Sequence, residues 1–98
     1  MKGRVSRRLR SFPVTPEVSI RPDERGQSWY LFFTAGDRPG LLSSVARVLV
    51  GYGLNVQTAK INTLGERAED SFVLTGDALR ETRNIIRLES DLIRELAT

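Results

Sequence analysis

The hydrophobic pattern of this chain changes period at one point, and that change constrains the fold more than any other feature. Residues 29–35, from Trp29 to Ala35, form a dense apolar run. After Asp37-Arg38-Pro39-Gly40, apolar residues return at helical spacing, and Leu41, Leu42, Val45, Ala46, Val48 and Leu49 fall on one face of a helix. A strand therefore turns sharply into a helix. Pro39 suits a first helical turn, where its missing N–H costs nothing, and Gly40 lets another group approach the backbone closely. The unpaired N–H groups at such a helix start carry partial positive charge and accept an anion, a carboxylate included. An ordinary strand-to-helix turn beside an aspartate would use the same residues.

The strand before the turn, over 28–35, points Trp29, Leu31 and Phe33 to one side and Tyr30, Phe32 and Thr34 to the other. Both faces are apolar, so the strand is expected to be central and covered on both sides. One cover is this chain's own helices. The other is a partner domain, a second copy, or a partly exposed sheet, and the surplus aromatic surface points to association.

A shorter alternating segment, 17–21, precedes it and pairs with it as a hairpin across the polar loop Pro22-Asp23-Glu24-Arg25-Gly26. The first helix is expected over 39–52, with Gly53 as a left-handed cap. A strand follows over 54–63. Its phase slips between Val56 and Ala59, which a bulge or bend near Gln57-Thr58 would explain, as would burial on both faces. Leu64-Gly65-Glu66 makes a tight connection to a strand over 67–75, with Ala68, Phe72 and Leu74 on one face. Asp70 shares that phase, odd for a core face, and is expected at the sheet rim. From 81 to 97 helical spacing returns through Ile85, Ile86, Leu88, Leu92, Ile93 and Leu96, with Thr82, Asp77 or a residue between them as candidate caps.

The order is ββαββα. A ferredoxin-like βαββαβ unit closes with a strand after its second helix. Here that strand is missing and an extra N-terminal one is present, able to fill the vacated edge. The expected class is α+β, a four-stranded antiparallel sheet with two helices on one face.

Composition narrows the chemistry. The chain has no cysteine and no histidine. It therefore lacks thiol chemistry, the commonest general base and the commonest metal ligand. Glu66, Glu69 and Asp70 are carboxylates with no such companions, so an autonomous enzyme is not expected. The net charge of +3 is uneven. Residues 1–12 hold Lys2, Arg4, Arg7, Arg8 and Arg10 and no acid, leaving 10 basic and 12 acidic groups for the remainder. Residues 1–12 read as a basic interdomain linker and 13–98 as the domain. A mildly acidic domain argues against a nucleic-acid surface. No apolar run reaches membrane-spanning length and no apolar signal core is present, so a cytoplasmic location away from membranes is expected.

Three segments, Asp37-Arg38-Pro39-Gly40-Leu41-Leu42, Gly53-Leu54-Asn55-Val56 and the run from Ile61 to Phe72, together resemble an ACT domain, a small amino-acid-binding regulatory module. The first segment and Gly65-Glu66-Arg67-Ala68-Glu69-Asp70 resemble one subgroup. It is the C-terminal ACT domain of the bifunctional uridylyltransferase/uridylyl-removing enzymes that modify the nitrogen-regulatory PII protein. The lead-in from Arg7 to Val18 is similar to the join between that family's two ACT domains.

The resemblance implies a regulatory fragment separated from nucleotidyltransferase and hydrolase domains, with glutamine as effector. High glutamine would favour removal of uridylyl groups and low glutamine their addition. It also implies a neighbouring ACT domain or a homodimer paired through a sheet or helix edge. PII would be met only through the full-length enzyme. No cofactor is expected in this chain, and magnesium only in the catalytic domains.

Family ligands lie between the strand-to-helix loop and a neighbouring ACT domain. Carried over, this gives Asp37, Arg38, Pro39, Gly40, Leu41 and Leu42 as one wall, with Asn55 and Val56 on the following strand. Asp37 would meet an α-ammonium, the amides of Gly40, Leu41 and Leu42 a carboxylate, and Asn55 a side-chain amide. Asp37 could equally serve only the helix start, worth about 0.3–1 kcal/mol, and Asn55 could be a turn residue. Two other readings compete with glutamine sensing. One is an ACT pairing module that binds nothing. The other is an RNA-binding domain of similar topology, which the acidic strand 66–72 disfavours because it lacks the basic-glycine-aromatic RNP pattern.

Overall fold

The computed structural model describes residues 14–97, so the basic segment read as a linker over 1–12 lies outside the described residues. The elements are β1 (Glu17–Pro22), β2 (Trp29–Gly36), α1 (Leu41–Gly51), β3 (Asn55–Lys60), β4 (Thr63–Leu64), β5 (Arg67–Thr75), a 3-10 turn (Asp77–Arg80) and α2 (Thr82–Leu96). All pairings are antiparallel, in the order β1-β2-β5-β3, with two-residue β4 also paired to β5. β1 thus occupies the edge beside β2, as expected.

One face of the sheet and two helices make the core. Trp29, Leu31, Phe33 and Ala35 of β2 are buried together with Ala68, Phe72 and Leu74 of β5. Against them lie Leu41, Val45 and Leu49 of α1 and Leu88, Leu92 and Leu96 of α2. Phe33 and Phe72 meet edge to face at 5.8 Å between centroids, the geometry that aligns a ring's positive edge with its partner's negative face. The helical stripes are narrower than their apolar residues suggest. Leu42 and Ala46 of α1, and Ile86 and Ile93 of α2, turn outward. Among the described residues nothing covers the outer face of β2, which leaves the partly exposed sheet among the expected alternatives. Tyr30 and Phe32 remain 43% and 49% exposed on the outer face.

The entrance to α1 differs from expectation. Pro39 precedes the helix, which begins at Leu41. Gly40 has φ 81° and ψ 3°, and the Leu41 amide donates to the Arg38 carbonyl at 3.2 Å. That is the geometry of a type II turn with Pro39 and Gly40 at its centre. The left-handed glycine cannot belong to the helix, so the helix starts at Leu41, two residues later than expected. The other end matches expectation. Gly53 has φ 72°, its amide donates to Val50, and the Leu54 amide donates to Leu49. This is a Schellman cap closed by buried Leu49 and Leu54.

The strand expected over 54–63 is broken. It carries the anticipated irregularity between Val56 and Thr58, then ends at Lys60 and resumes as β4. At the gap the Asn62 amide donates to Asp70 Oδ1 at 2.9 Å. A side-chain carboxylate there takes a donor that an unbroken ladder would use. α2 starts at Thr82 with Glu81 as N-cap and no side-chain cap. The Glu81 carbonyl instead accepts the Asn84 and Ile85 amides.

Candidate functional site

The type II turn and the broken strand meet at one end of the sheet. The Asp37 amide donates to the Glu66 carbonyl at 2.8 Å, tying the β2–α1 loop to the β4–β5 turn. Between these segments lies a cavity of about 220 Å³. The loop and the start of α1 contribute Asp37, Arg38, Gly40, Leu41, Leu42 and Ser43. The broken strand and β5 contribute Ile61, Thr63, Ala68 and Asp70.

The charges around this cavity are arranged unequally. Asp37 is exposed and faces water, while Asp70 is only 3% exposed. Asp70 Oδ1 is occupied by Asn62, and its Oδ2 is buried with no hydrogen-bond partner among the described residues. An unsatisfied buried acceptor costs about 1–3 kcal/mol, more when charged. Arg38 lines the cavity as well. Its Nη2 donates to the Glu95 carbonyl at 3.0 Å, at the C-terminal end of α2, where a cation also meets the negative end of the helix. Its Nε is buried without a partner among the described residues. The start of α1 adds amides at Leu42 and Ser43, which helix geometry leaves without intrahelical acceptors. The site therefore joins a buried carboxylate oxygen to the Arg38 guanidinium and a helix N-terminus.

Of the sequence-derived site residues, Asp37, Arg38, Gly40, Leu41 and Leu42 converge on this cavity. Pro39 sits within the turn that shapes it and does not line it. Asn55 and Val56 lie elsewhere. They pair with Thr75 and Leu74, and Asn55 stands five positions along β5 from Asp70, about 17 Å at strand rise. Asn55 therefore does not share the cavity within one chain. Ser43, Ile61, Thr63, Ala68 and Asp70 line the cavity and are not among the sequence-derived site residues. Asp70 gave the only signal, an acid in the phase of Ala68, Phe72 and Leu74. Rather than standing solvated at the rim, it is buried beneath the strand break.

Among the described residues there is no group of three or more acidic, histidine or cysteine side chains able to hold a metal ion. No described helix is long and apolar enough to cross a membrane.

A family model described as "ACT domain" matches residues 29–87. The chain is 58% identical over 98 residues to a bifunctional uridylyltransferase/uridylyl-removing enzyme of Nitrosospira multiformis, covering 100% of this chain and 11% of that protein. It is 54% identical over 95 residues to a protein of the same description from Chromobacterium violaceum, covering 97% of this chain and 11% of that protein. The chain thus spans about a tenth of the length of the curated relatives it matches. In fold it is similar to the crystal structure of an unknown protein from Galdieria sulphuraria, with a TM-score of 0.61 and 20% identity over 71% of this chain and 39% of that one.

Proposed function

The chain belongs to the ACT domain family, and from that premise we propose that it is the glutamine-sensing regulatory domain of a cytoplasmic uridylyltransferase/uridylyl-removing enzyme acting on PII. Identity of 54–58% along the chain to enzymes of that description supports the setting. On this reading the catalytic chemistry, and any magnesium it needs, belongs to other parts of the full-length enzyme. The chain itself contributes a binding event.

The observation that carries the reading is the cavity at the β2–α1 turn, where opposite charges face one small volume. An α-amino acid is a zwitterion of matching size and polarity. The helix start and Arg38 attract its carboxylate, and an aspartate attracts its ammonium. The demand is modest, because a millimolar dissociation constant needs only about 4 kcal/mol. Regulation then requires that the ligand favour one domain arrangement over another, with coupling of about 1–3 kcal/mol.

The test is an amide NMR titration of the chain with glutamine, with glutamate and asparagine as controls. Saturable shifts at Leu41, Leu42 and Ser43 with glutamine alone are expected. Equal responses to all three would remove the glutamine assignment, and no response at millimolar concentrations would remove the site.

A second reading, an ACT pairing module, draws on different features. Tyr30 and Phe32 stand exposed on the outer sheet face, and every residue of edge strand β3 is exposed. An open edge offers its backbone groups to another strand. On this reading the chain self-associates in sedimentation experiments whether or not glutamine is present.

A further inference from the structure

The sequence points to Asp37 as the partner of the ligand's ammonium. The geometry points instead to Asp70, whose Oδ2 we assign as the ammonium acceptor of an α-amino acid bound in the β2–α1 cavity. This assignment rests on the amino-acid-binding reading of that cavity.

Three observations carry it. Asp70 is buried, yet it lines the cavity. Its Oδ1 is fixed by the Asn62 amide at 2.9 Å, which orients the carboxylate. Its Oδ2 has no partner among the described residues. A buried carboxylate oxygen left so is costly, and native structures keep such groups where something else satisfies them. A primary ammonium brings three donors and a compensating charge. Asp37 is a weaker anchor. It is exposed, and water screens its attraction far more than it screens a buried pair.

The placement also sets the ligand's direction. Asp70, a buried residue, and Leu42 and Ser43, exposed residues at the start of α1, line the same cavity. The ligand therefore enters ammonium first and leaves its carboxylate at the helix start. A dicarboxylate without an amino group would set a negative charge against Asp70 and is excluded. The ligand class is the α-amino acid as such, and Asp70 reads the amino group.

The experiment titrates the 98-residue chain by amide NMR with L-glutamine and with its des-amino analogue 4-carbamoylbutanoate, in the wild type, Asp70→Asn and Asp37→Asn. The Asn62 amide, bonded to Asp70 Oδ1, is the reporter. In the wild type, glutamine moves Asn62 and binds at least about tenfold more tightly than the analogue. Asp70→Asn loses at least about tenfold in glutamine affinity and with it the preference over the analogue. Asp37→Asn loses less than Asp70→Asn.

If Asp70→Asn binds glutamine as the wild type does, or Asp37→Asn takes the larger loss, Asp70 is not the anchor and the amino-acid reading stands. Equal wild-type affinities for glutamine and analogue overturn the assignment without any substitution, so a poorly folded variant cannot obscure the answer. If the wild type responds to neither glutamine nor any other amino acid at millimolar concentrations, the amino-acid reading falls and the role of Asp70 falls with it.

Discussion

Arg38 joins the β2–α1 loop to the end of α2. Its Nη2 donates to the Glu95 carbonyl at 3.0 Å, across 57 positions of sequence. The residue that borders the cavity therefore also holds the last turn of the last helix. A ligand that competes for the guanidinium acts on α2 through one side chain.

Arg38→Met keeps the aliphatic volume and removes the donors. A hydrogen bond from a charged group is worth about 1.5–3 kcal/mol, offset in part because the buried, unpaired Nε also disappears. A net loss of about 1 kcal/mol in urea unfolding is expected. Faster amide hydrogen exchange should be confined to the last turn of α2 and the β2–α1 loop. Unchanged stability with unchanged exchange would mean that the contact does not couple the two elements.

Tyr52 makes another polar link to α2, its hydroxyl donating to Asp91 Oδ2 at 2.6 Å. Tyr52→Phe should cost about 1 kcal/mol at neutral pH. Burial, followed by the hydrogen bond and charge of Asp91, raises the phenol above its ordinary value of 10.0, while Arg87 and Arg94 pull the other way. The folded chain therefore keeps this proton to higher pH than the unfolded chain. The contribution is complete below pH 10 and is lost as pH rises through the folded value. In alkaline unfolding curves the wild type should lose its advantage over Tyr52→Phe above pH 10. A constant gap between the two would disprove the linkage.

Adjacent phenylalanines on β2 should behave as opposites. Phe33 is 2% exposed and packed edge-on against Phe72, so Phe33→Ala should cost about 3–5 kcal/mol. Phe32 is 49% exposed, and Phe32→Thr keeps strand propensity while removing little buried area. Its cost should be about 1 kcal/mol or less. The comparison is best made at a chain concentration where sedimentation shows a monomer. A large loss for Phe32→Thr there would mean that the outer face is covered.

Gly40→Ala tests the turn that builds the cavity. A Cβ at this position meets nothing within 4 Å, so the penalty is purely conformational, at φ 81°. It should be about 1–2 kcal/mol, and smaller for Gly40→Asn because asparagine tolerates the left-handed region. Thermal unfolding of the two variants measures the difference. Equal losses would mean that the turn relaxes to another geometry.

Much of this protein could be read from its residues in order. The period change at Asp37 to Gly40 placed β2, the turn and α1. Gly53 marked a Schellman cap, and the phase slip after Val56 marked an irregular strand. These are local features, settled by backbone sterics and by alternation of side chains along one segment, so the sequence carries them directly.

The tertiary structure decided what depends on distant segments. Pro39 and Gly40 form a turn before the helix because the left-handed glycine excludes itself from helical geometry. Leu42 and Ile86 turn outward because each lies about 100° round its helix from an inward-facing neighbour, Leu41 or Ile85. Asp70 reads as an anomaly in the phase of a core strand. Only when β5 lies beside the break at Asn62, with the β2–α1 loop above it, does it become a buried carboxylate holding one backbone amide and facing a cavity. Asn62 and Asp70 stand only eight positions apart, but the loop that closes the cavity over them comes from a distant segment, brought there by the packing of the sheet.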